Sequence, residues 1–447
     1  MDENAIEPSK TSDEIASIFE EAYLYAYPLM LLEHVKRMAT NTEYPTYEKA
    51  PVNQLFHAHE LMTPKMRTLT RGNVDTVYSQ TYLDLKAEPI VMRKPATDRY
   101  CSVQLFDGYS NTPVILGTGA LGGSDQHDYA LVGPGWEGTL PEGVIEVPVQ
   151  TNLVWLLIRT KLLGPEDIEN VYAIQQAMDL QPLSAYGTDY TPPKGVYRPD
   201  YDYVAIEKVA SLSVQEYFEL FNELAIDNPA APEDEPALQR FAPWNIGAGL
   251  TFDFDALDPE IQEAISYLPN LLGLEFSSKY AKTIDSNGWR FLDESVGQFG
   301  TDYVFRAIVA YGGFANPVSM AVYPSMSMKA SGTPLSGDKN YVLHFEPGML
   351  PPHGKDGWWS LTAYSGPGYV IENELDRYNI SDSSDLKFNE DGSLDLYIQA
   401  KNPQGEKESN WLPICEDIFS MTMRIYLPDP SVIDFSWKLP PLKELDA

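Results

Sequence analysis

The sequence has little cysteine and no long apolar run. Cys101 and Cys415 are its only cysteines, too few for a zinc ribbon or for a redox CxxC motif. Both lie in apolar, strand-like segments, which favours unreactive core thiols, while a disulfide between them and a reactive thiol stay open. No stretch approaches the roughly 18 consecutive apolar residues of a membrane-spanning helix, so no such helix is predicted.

Positive charge is also scarce. The chain has 31 Lys and Arg residues against 65 Asp and Glu, which gives a formal net charge of −34. Nucleic acid and anionic membranes are therefore not expected as partners, because both need basic surfaces. The acidic, polar first residues are unlike a signal peptide, but a leader could have been removed. The location, whether cytoplasmic, periplasmic or secreted, stays open.

The first part of the chain has helical spacing. Apolar residues recur at helical intervals over 12–40, with Ser12 as the expected N-cap and acidic residues in the first turn. Pro28 is expected to kink this helix, because proline lacks an amide proton and its ring clashes with the preceding turn. A second, shorter helix is predicted over 51–62.

Most of the remaining chain alternates between strand-like and helical segments. Short runs of alternating polarity, separated by Gly, Pro, Asn and Asp, fill 73–159 and return after about residue 335, a pattern typical of antiparallel strands in a sandwich or barrel. A helix is predicted from Gly164 to about Leu180, and further helices are predicted in the acidic block between the two strand regions, where Ser213 begins a capping box. Asp391-Gly392 predicts a hairpin turn.

Long ordered blocks of sequence carry a family resemblance. They include PVNQLFHAHELM, TRGNVDTVYSQTYLDLKAEPIV and DRYCSVQLFDGYSNTPVILGTG in the first half, and YVLHFEPGMLPP, GWWSLTAY and VIENELDRYNI in the second. The chain resembles the tandem domain-of-unknown-function family whose two halves are numbered 1254 and 1214. The resemblance implies a jelly-roll-like β-sandwich in each half. It implies no activity.

We therefore predict an α+β fold that is mainly β. It has two jelly-roll-like antiparallel β-sandwich modules, an N-terminal helix and an acidic helical connecting block. The expected regions are the N-terminal helix at 1–50, the first sandwich at 51–183, the helical block at 184–334 and the second sandwich at 335–447.

Polar and aromatic residues are densest in the first predicted sandwich. Carboxylates, amides and phenols that converge in a cleft can bind a small polar or glycan-like ligand, and Asp75 and Asp107 could serve as acid and base if one were desolvated. The alternative is that the Asx residues fix turns. The candidate catalytic residues are Asp75, Asp107, Tyr78 and Arg99; the candidate ligand-binding residues are Asn73, Tyr82, Gln104, Tyr109 and Asn111.

A second aromatic and polar set lies in the other half, where Trp358 and Arg377 are candidate ligand-binding residues. Aromatic rings and guanidinium groups suit carbohydrate ligands, but they equally suit a sandwich core. Arg377 and Arg424 are expected to pair with acidic side chains. A buried arginine without such a partner would indicate a ligand that carries a carboxylate or phosphate.

The histidines offer a weaker metal alternative. His57 and His59 would share one face of a strand, and Asp75 or His127 could complete a three-ligand site. On a helix the two rings would diverge by about 200°, and the histidines would then be structural. No cofactor is predicted, because the glycines of GTGALGG lack both the GxGxxG spacing and the P-loop lysine.

Three functions remain open from the sequence alone. The first is a hydrolase or lyase that acts on a small polar or glycan-like substrate. The second is a ligand-binding or envelope-associated recognition protein without turnover. The third is a self-assembling structural protein, so a homo-oligomer also stays open.

Overall fold

The protein is described by a computed structural model that covers residues 11–67, 70–329 and 331–445. It is an α+β fold with four sheets, in which most neighbouring strands are antiparallel. The described α-helices are α1 (Ser12–Ala39), α2 (Ile168–Gln176), α3 (Ala205–Ala210), α4 (Val214–Asp227), α5 (Glu235–Phe241), α6 (Pro259–Ala264), α7 (Leu274–Tyr280), α8 (Tyr303–Tyr311) and α9 (Pro430–Ile433). None of these helices has the length and hydropathy to cross a membrane.

Two sheets in the N-terminal half share one apolar core, and we call them the N-terminal sheet pair. The strand orders are β1-β2-β9-β4-β5-β6 and β10-β3-β7-β8, with parallel pairing only at β5-β6 and β7-β8 among these strands. The strands are β1 (Phe56–His57), β2 (Thr76–Asp84), β3 (Ile90–Lys94), β4 (Cys101–Phe106), β5 (Ile115–Gly117), β6 (Leu121–Gly122), β7 (His127–Val132), β8 (Val144–Pro148), β9 (Leu153–Lys161) and β10 (Asp179–Pro182).

Two further sheets form the C-terminal sheet pair around a second core. Their strand orders are β11-β12-β14-β20-β16-β17, with β13 also on β20, and β19-β18-β15-β21. The strands are β11 (Thr283–Ser286), β12 (Trp289–Leu292), β13 (Ala321–Val322), β14 (Ser325–Met326), β15 (Asn340–Phe345), β16 (His353–Ser365), β17 (Asn379–Ser381), β18 (Leu394–Gln399), β19 (Trp411–Pro413), β20 (Phe419–Pro428) and β21 (Leu442–Leu445).

Helix α1 is the centre of a separate helical core. It packs against helices α3 to α6 and α8, and every residue from Ala22 to His34 is buried. The predicted helix is confirmed, but its N-cap is Thr11 rather than Ser12, since the Thr11 hydroxyl accepts the amide of Glu14 and the Glu14 carboxylate accepts the amide of Thr11. Pro28 lies inside the continuous helix.

The helix predicted over 51–62 is wrong. This segment instead lies along the edge of β2, where Phe56 faces Gln80 and the amide of Ala58 donates to the carbonyl of Tyr78. Pairing with an open sheet edge satisfies the backbone there, and Asn53 takes a positive φ of 60° that a helix cannot contain.

Two other local predictions are confirmed only in part. Helix α2 follows Gly164 as expected but ends at Gln176, because the chain then forms β10. A turn forms at Asp391-Gly392, but only Gly392 has a positive φ and only β18 continues from it as a strand. The capping box of Ser213 and Glu216 is present at the start of α4.

Strands β11 to β14 lie inside the region predicted as a helical block. They join the C-terminal sheet pair, where Ser325 faces Thr422 and Val322 faces Ile425 of β20. The division of the chain into four regions stays a prediction. The acidic block itself does contain six helices, α3 to α8, among its described residues.

Candidate functional site

A cleft of about 600 Å³ lies between the two sheet pairs. Its inner wall is formed where β2 begins and β9 ends, opposite β16 and β17 of the other pair. Helix α2 and the segment before β2 form the outer wall. The lining residues are 59–63, Val74, Asp75, 161–165, Ile168, Tyr172, Trp358, 376–379, Ser381, Ser383 and Ser384.

The cleft opens at the end of a buried polar layer between the sheet pairs. Side chains alternate along a strand, so Thr76 and Tyr78 of β2 share a face with the Lys161 and Arg159 that they oppose on β9. On the other side, Ser360 of β16 lies opposite Arg424 of β20. The reverse faces of these strands carry the apolar side chains of the two cores. The polar faces therefore meet each other.

Asp75 joins the two halves of the molecule at the inner wall. Its carboxylate accepts a hydrogen bond of 2.6 Å from the Ser360 hydroxyl and another of 2.6 Å from the Asn379 amide. Burial raises the pKa of Asp75, and the nearby Arg424 and the two hydrogen bonds only partly oppose this effect. A carboxyl group in such a place can hold a proton more tightly than an exposed one.

Lys161 lies on the same wall, at the end of β9. Its ammonium nitrogen is 4.3 Å from the centre of a Trp358 ring, and it donates no hydrogen bond to any described residue. Burial lowers the pKa of Lys161, while Asp382 and Asp75 act in the opposite direction. The cleft thus holds a buried acid and a half-buried amine that form no direct ion pair with each other.

Two buried arginines stand behind this wall. Arg424 donates to the Thr362 hydroxyl, to the Tyr364 hydroxyl at 2.7 Å and to the carbonyls of Arg71 and Gly72. Arg159 donates to the side-chain oxygens of Gln104 and Asn316. Neither guanidinium forms a direct ion pair with a described carboxylate. Arg424 interacts with Asp75 only at longer range, so the direct pairing expected for Arg424 is not formed.

Trp358 supplies a polar atom without a partner. The side chain is 1% exposed and stacks on Tyr426, with ring centres 3.8 Å apart. Its indole nitrogen is buried and has no hydrogen-bond acceptor among the described residues. Burying an N–H group without an acceptor costs free energy, and an acceptor atom brought into contact with it would remove that cost.

The outer part of the cleft is polar and aromatic. Arg377 lines it, but its guanidinium already donates to the carbonyls of Glu408 and Trp411 at 2.6 and 2.9 Å. The Tyr378 hydroxyl donates to Asp376 at 2.8 Å. Burial is the main cause that raises the pKa of Tyr378 to about 12, so this phenol is a hydrogen-bonding group at neutral pH.

Three of the residues predicted from the sequence, Asp75, Trp358 and Arg377, line the cleft. Asn73 lies directly beside them. Its side-chain oxygen accepts the amides of Asp75 and Thr76, and its amide donates to the Tyr426 hydroxyl at 2.6 Å. Asn73 thus positions Asp75 through a turn.

Two further candidates belong to the polar layer and not to the cleft wall. The Tyr78 ring lies under the Arg159 guanidinium, 5.8 Å from its central carbon. Gln104 bridges Arg159, Thr112 and the carbonyl of Ala315.

The structure does not bring Asp107 to Asp75. Strand β9 gives the distance between them. Asp75 comes one residue before Thr76, which faces Lys161, and Asp107 comes one residue after Phe106, which faces Trp155. The two aspartates are therefore separated by the length of about eight residues of β9. At about 3.3 Å per residue the carboxylates are therefore on the order of 26 Å apart along the strand, and they cannot act on one small substrate.

Asp107 fixes a turn instead. One of its oxygens accepts the amides of Tyr109 and Asn111 at 2.9 Å, and the other accepts the Asn111 side chain at 3.1 Å. The Tyr109 hydroxyl donates to the carbonyl of Asn228, and the Tyr82 ring stacks on Trp155. These residues lie against the helical core.

Arg99 also lies away from the cleft wall. Its guanidinium pairs with Asp98 and with the buried Asp167, which precedes α2. It thereby attaches the start of β4 to the helix that forms the outer wall.

The histidines do not assemble a metal site. His57 lies on β1 and shares a 2.7 Å hydrogen bond with the Ser79 hydroxyl, and burial lowers its pKa to about 4. His59 lies beside Tyr172 on the cleft rim. No group of three His, Cys, Asp or Glu side chains that could hold an ion, His127 included, occurs in the parts of the chain that the structure covers.

Both cysteines are free. Cys101 is buried in the N-terminal core, and Cys415 is half-buried. Burial raises the pKa of both thiols. A disulfide between them is therefore not formed.

The sequence interpretation missed Lys161, Ser360 and Asn379. The available signal was the segment LLIRTKLLG, where Arg159 and Lys161 stand two apart on an otherwise apolar strand. Two cations on one face of a strand need a polar partner surface. That surface comes from β16, about 200 residues later in the chain, which local sequence patterns do not reveal.

The sequence matches two family models. Residues 52–182 match the protein of unknown function DUF1254, and residues 320–430 match the protein of unknown function DUF1214. The two matches fall in the N-terminal and C-terminal halves, as the sequence motifs predicted. The chain thus carries both of these family regions in tandem, one in each half.

One solved structure supports the same fold. The VPA0106 protein from Vibrio parahaemolyticus is similar over 96% of this chain and 100% of its own, with a TM-score of 0.70 and 22% identity. An uncharacterised protein from Burkholderia cenocepacia aligns over 99% of this chain and 91% of its own, but its TM-score of 0.42 and 12% identity support no conclusion. The search of curated proteins found no match.

Proposed function

We propose that this protein is an enzyme, a hydrolase or lyase, that acts on a small polar substrate in the cleft between the sheet pairs. The observation that carries the proposal is the placement of a buried carboxyl group, Asp75, and a half-buried amine, Lys161, on one wall of a cleft of about 600 Å³. Clefts of this size with a few convergent polar groups are typical binding sites for small molecules.

The two groups have complementary roles in this proposal. Burial favours the protonated form of Asp75, so it can donate a proton to a leaving oxygen as a general acid. Lys161 lies beside it and stabilises negative charge that develops on the substrate. The Ser360 hydroxyl and the Asn379 amide hold the Asp75 carboxyl in place.

The experiment compares turnover by the full chain and four variants on a panel of 4-nitrophenyl esters and glycosides and of oligouronates. Asp75→Asn removes the proton donor, and Lys161→Met removes the charge while keeping much of the side-chain length. Lys355→Met and Asp356→Asn are the matched controls, since both residues are exposed on β16 outside the cleft. We expect turnover to fall at least about a hundredfold in Asp75→Asn and to stay unchanged in both controls.

Asp75 also connects the two halves of the molecule. The stability of the Asp75→Asn variant must therefore be measured together with its turnover. We expect the variant to lose about 1–3 kcal/mol, because the new amide leaves one of the two cross-interface hydrogen bonds unmade, and to stay folded. The pH profile provides a second readout: activity that needs protonated Asp75 falls as the pH rises through a value above the ordinary 3.8. Turnover that survives in folded Asp75→Asn contradicts the proposal.

A binding protein without turnover is the second candidate. Both Asp75 oxygens already accept hydrogen bonds from the other half of the molecule, which suits a structural clasp as well as a proton donor. If Asp75→Asn and wild type bind a panel ligand equally and neither converts it, this second function is the correct one.

We also propose that each of the two sheet pairs is a jelly-roll-like β-sandwich. In each half, two sheets enclose one apolar core, as in a sandwich. The parallel pairings β5-β6, β7-β8 and β18-β19 depart from an all-antiparallel arrangement.

A further inference from the structure

The polar layer behind the cleft has an excess of positive charge. Over the whole chain, acidic residues outnumber basic ones by 65 to 31. In the layer, by contrast, the three cations Arg159, Lys161 and Arg424 outnumber the two nearby carboxyl groups: Asp75, which lies near Lys161 and Arg424, and Asp382, which lies near Lys161. Neither arginine has a carboxylate partner among the described residues. Buried cations normally have a counter-charge, because an isolated charge is costly to remove from water.

Two donors on the cleft wall also lack acceptors. The Lys161 ammonium group donates no hydrogen bond to a described residue, and the buried Trp358 indole nitrogen has no acceptor. The two side chains are in contact, since the ammonium nitrogen lies 4.3 Å from the centre of a Trp358 ring. Both line the same cleft. An oxyanion placed here would accept from both donors and balance the positive charge behind them.

We propose that the ligand of this cleft carries an anionic group, a carboxylate or a phosphate, that binds to Lys161 and to the indole N–H of Trp358. The inference rests on the proposed function only in taking the cleft as the binding site. It adds the class of substrate: a sugar acid, a hydroxy acid or a phosphorylated small molecule rather than a neutral sugar.

The test measures binding of a matched pair of probes to the full chain. Glucose and glucuronate differ in having a hydroxymethyl group or a carboxylate at the same carbon, and inorganic phosphate represents the other anion. Affinities are measured by isothermal titration calorimetry in chloride buffers that have the same total ionic strength for every probe. A difference in affinity then does not come from general screening by salt. We expect glucuronate or phosphate to bind at least about tenfold more tightly than glucose.

Variants place the anion within the cleft. Lys161→Met should weaken binding of the anion by about tenfold or more, because the cation is lost. Trp358→Phe keeps an aromatic ring but removes the N–H group, and should weaken it several-fold. Lys355→Met, which removes an exposed lysine from the same strand as Trp358, should leave the affinity unchanged. Binding of glucuronate alone or phosphate alone identifies which anion the site takes.

Three results would overturn the inference. The first is equal affinity for glucose and glucuronate without binding of phosphate. The second is an anion affinity that Lys161→Met leaves unchanged. The third is a Kd weaker than about 10 mM for both anions. If glucose binding is lost in Asp75→Asn but kept in Lys161→Met, the ligand is not anionic. The proposal that the cleft is the substrate site would then remain supported.

Discussion

At the residue scale, Asp107 illustrates how burial acts on a carboxyl group in this chain. Three N–H groups donate to it, which favours the charged form. Burial nevertheless outweighs them and raises its pKa to about 6. The folded protein therefore binds a proton at Asp107 between about pH 4 and 6, where the unfolded chain has lost it.

This proton makes a testable difference between wild type and Asp107→Asn. Because the folded state binds the extra proton, the stability of wild type falls as the pH rises from 4 to 6, relative to a variant that cannot titrate there. The pKa of Asp107 rises from 3.8 in the unfolded chain to about 6 in the folded protein. At about 1.4 kcal/mol per pKa unit, the difference in the free energy of unfolding between the two proteins therefore changes by nearly 3 kcal/mol. Urea unfolding at pH 4, 5, 6 and 7 measures it.

The control for this prediction is Asp356→Asn, which changes an exposed carboxylate that makes no hydrogen bond to a described residue. Its stability difference from wild type should stay constant over the same range. If Asp107→Asn also gives a constant difference, the burial argument is wrong.

At the same scale, the sequence was informative about Asp75, Trp358 and Arg377, which line the cleft, and about Asn73, which positions Asp75. It could not place Asp107, because Asx residues that fix turns and Asx residues that bind ligands look the same in sequence. Lys161 was missed, since its neighbours Trp358 and Asp382 come from distant parts of the chain.

At the scale of elements, the backbone at one strand end accepts only glycine. Gly117, at the end of β5, has a φ of +99°, and a side-chain β-carbon there would come within 2.2 Å of the Cys101 carbonyl oxygen. That carbonyl belongs to the neighbouring strand β4. A side chain at this position would therefore force two paired strands apart.

We predict that Gly117→Ala lowers the free energy of unfolding by more than about 3 kcal/mol, since it adds a backbone clash to an unfavourable φ. Gly123→Ala is the matched control: Gly123 also has a positive φ, +56°, but no atom lies within 4 Å of the added β-carbon. It should cost about 1–2 kcal/mol from strain alone. Equal losses in the two variants, measured by chemical unfolding, would contradict the clash.

Elements with strong local signals were predicted correctly. The helix at α1 and the capping box of α4 depend on residues within a few positions of one another. The segment 51–62 was mistaken for a helix because its fate depends on the open edge of β2, about 25 residues later. A two-residue strand such as β1 leaves almost no periodic pattern to detect.

At the scale of the whole molecule, the polar layer links the two halves. Arg424 of β20 donates to the carbonyls of Arg71 and Gly72 in the N-terminal half, and Asp75 accepts from Ser360 and Asn379 in the C-terminal half. The sequence predicted two β-rich modules but not the contact between them, because each module's polar face looks like a solvent-exposed face when considered alone.

We predict that the chain unfolds in one cooperative transition and that Arg424→Met lowers its midpoint without splitting it. The loss should be about 3–5 kcal/mol, because two hydroxyls and two carbonyls that accept hydrogen bonds from Arg424 lose their charged donor. Arg290→Met, at an exposed arginine of β12, should change stability by less than about 0.5 kcal/mol. Two separate calorimetric transitions in wild type would show that the halves are independent.

The most direct test of the cleft as the functional site is a crystal structure of the full chain soaked with small polar compounds, including glucuronate, phosphate and neutral sugars. We predict a bound molecule in the cleft with a polar atom about 3 Å from the Asp75 carboxyl group or the Lys161 ammonium group. Compounds that bind only elsewhere on the molecule, while the cleft contains solvent alone at the same concentrations, would contradict the account.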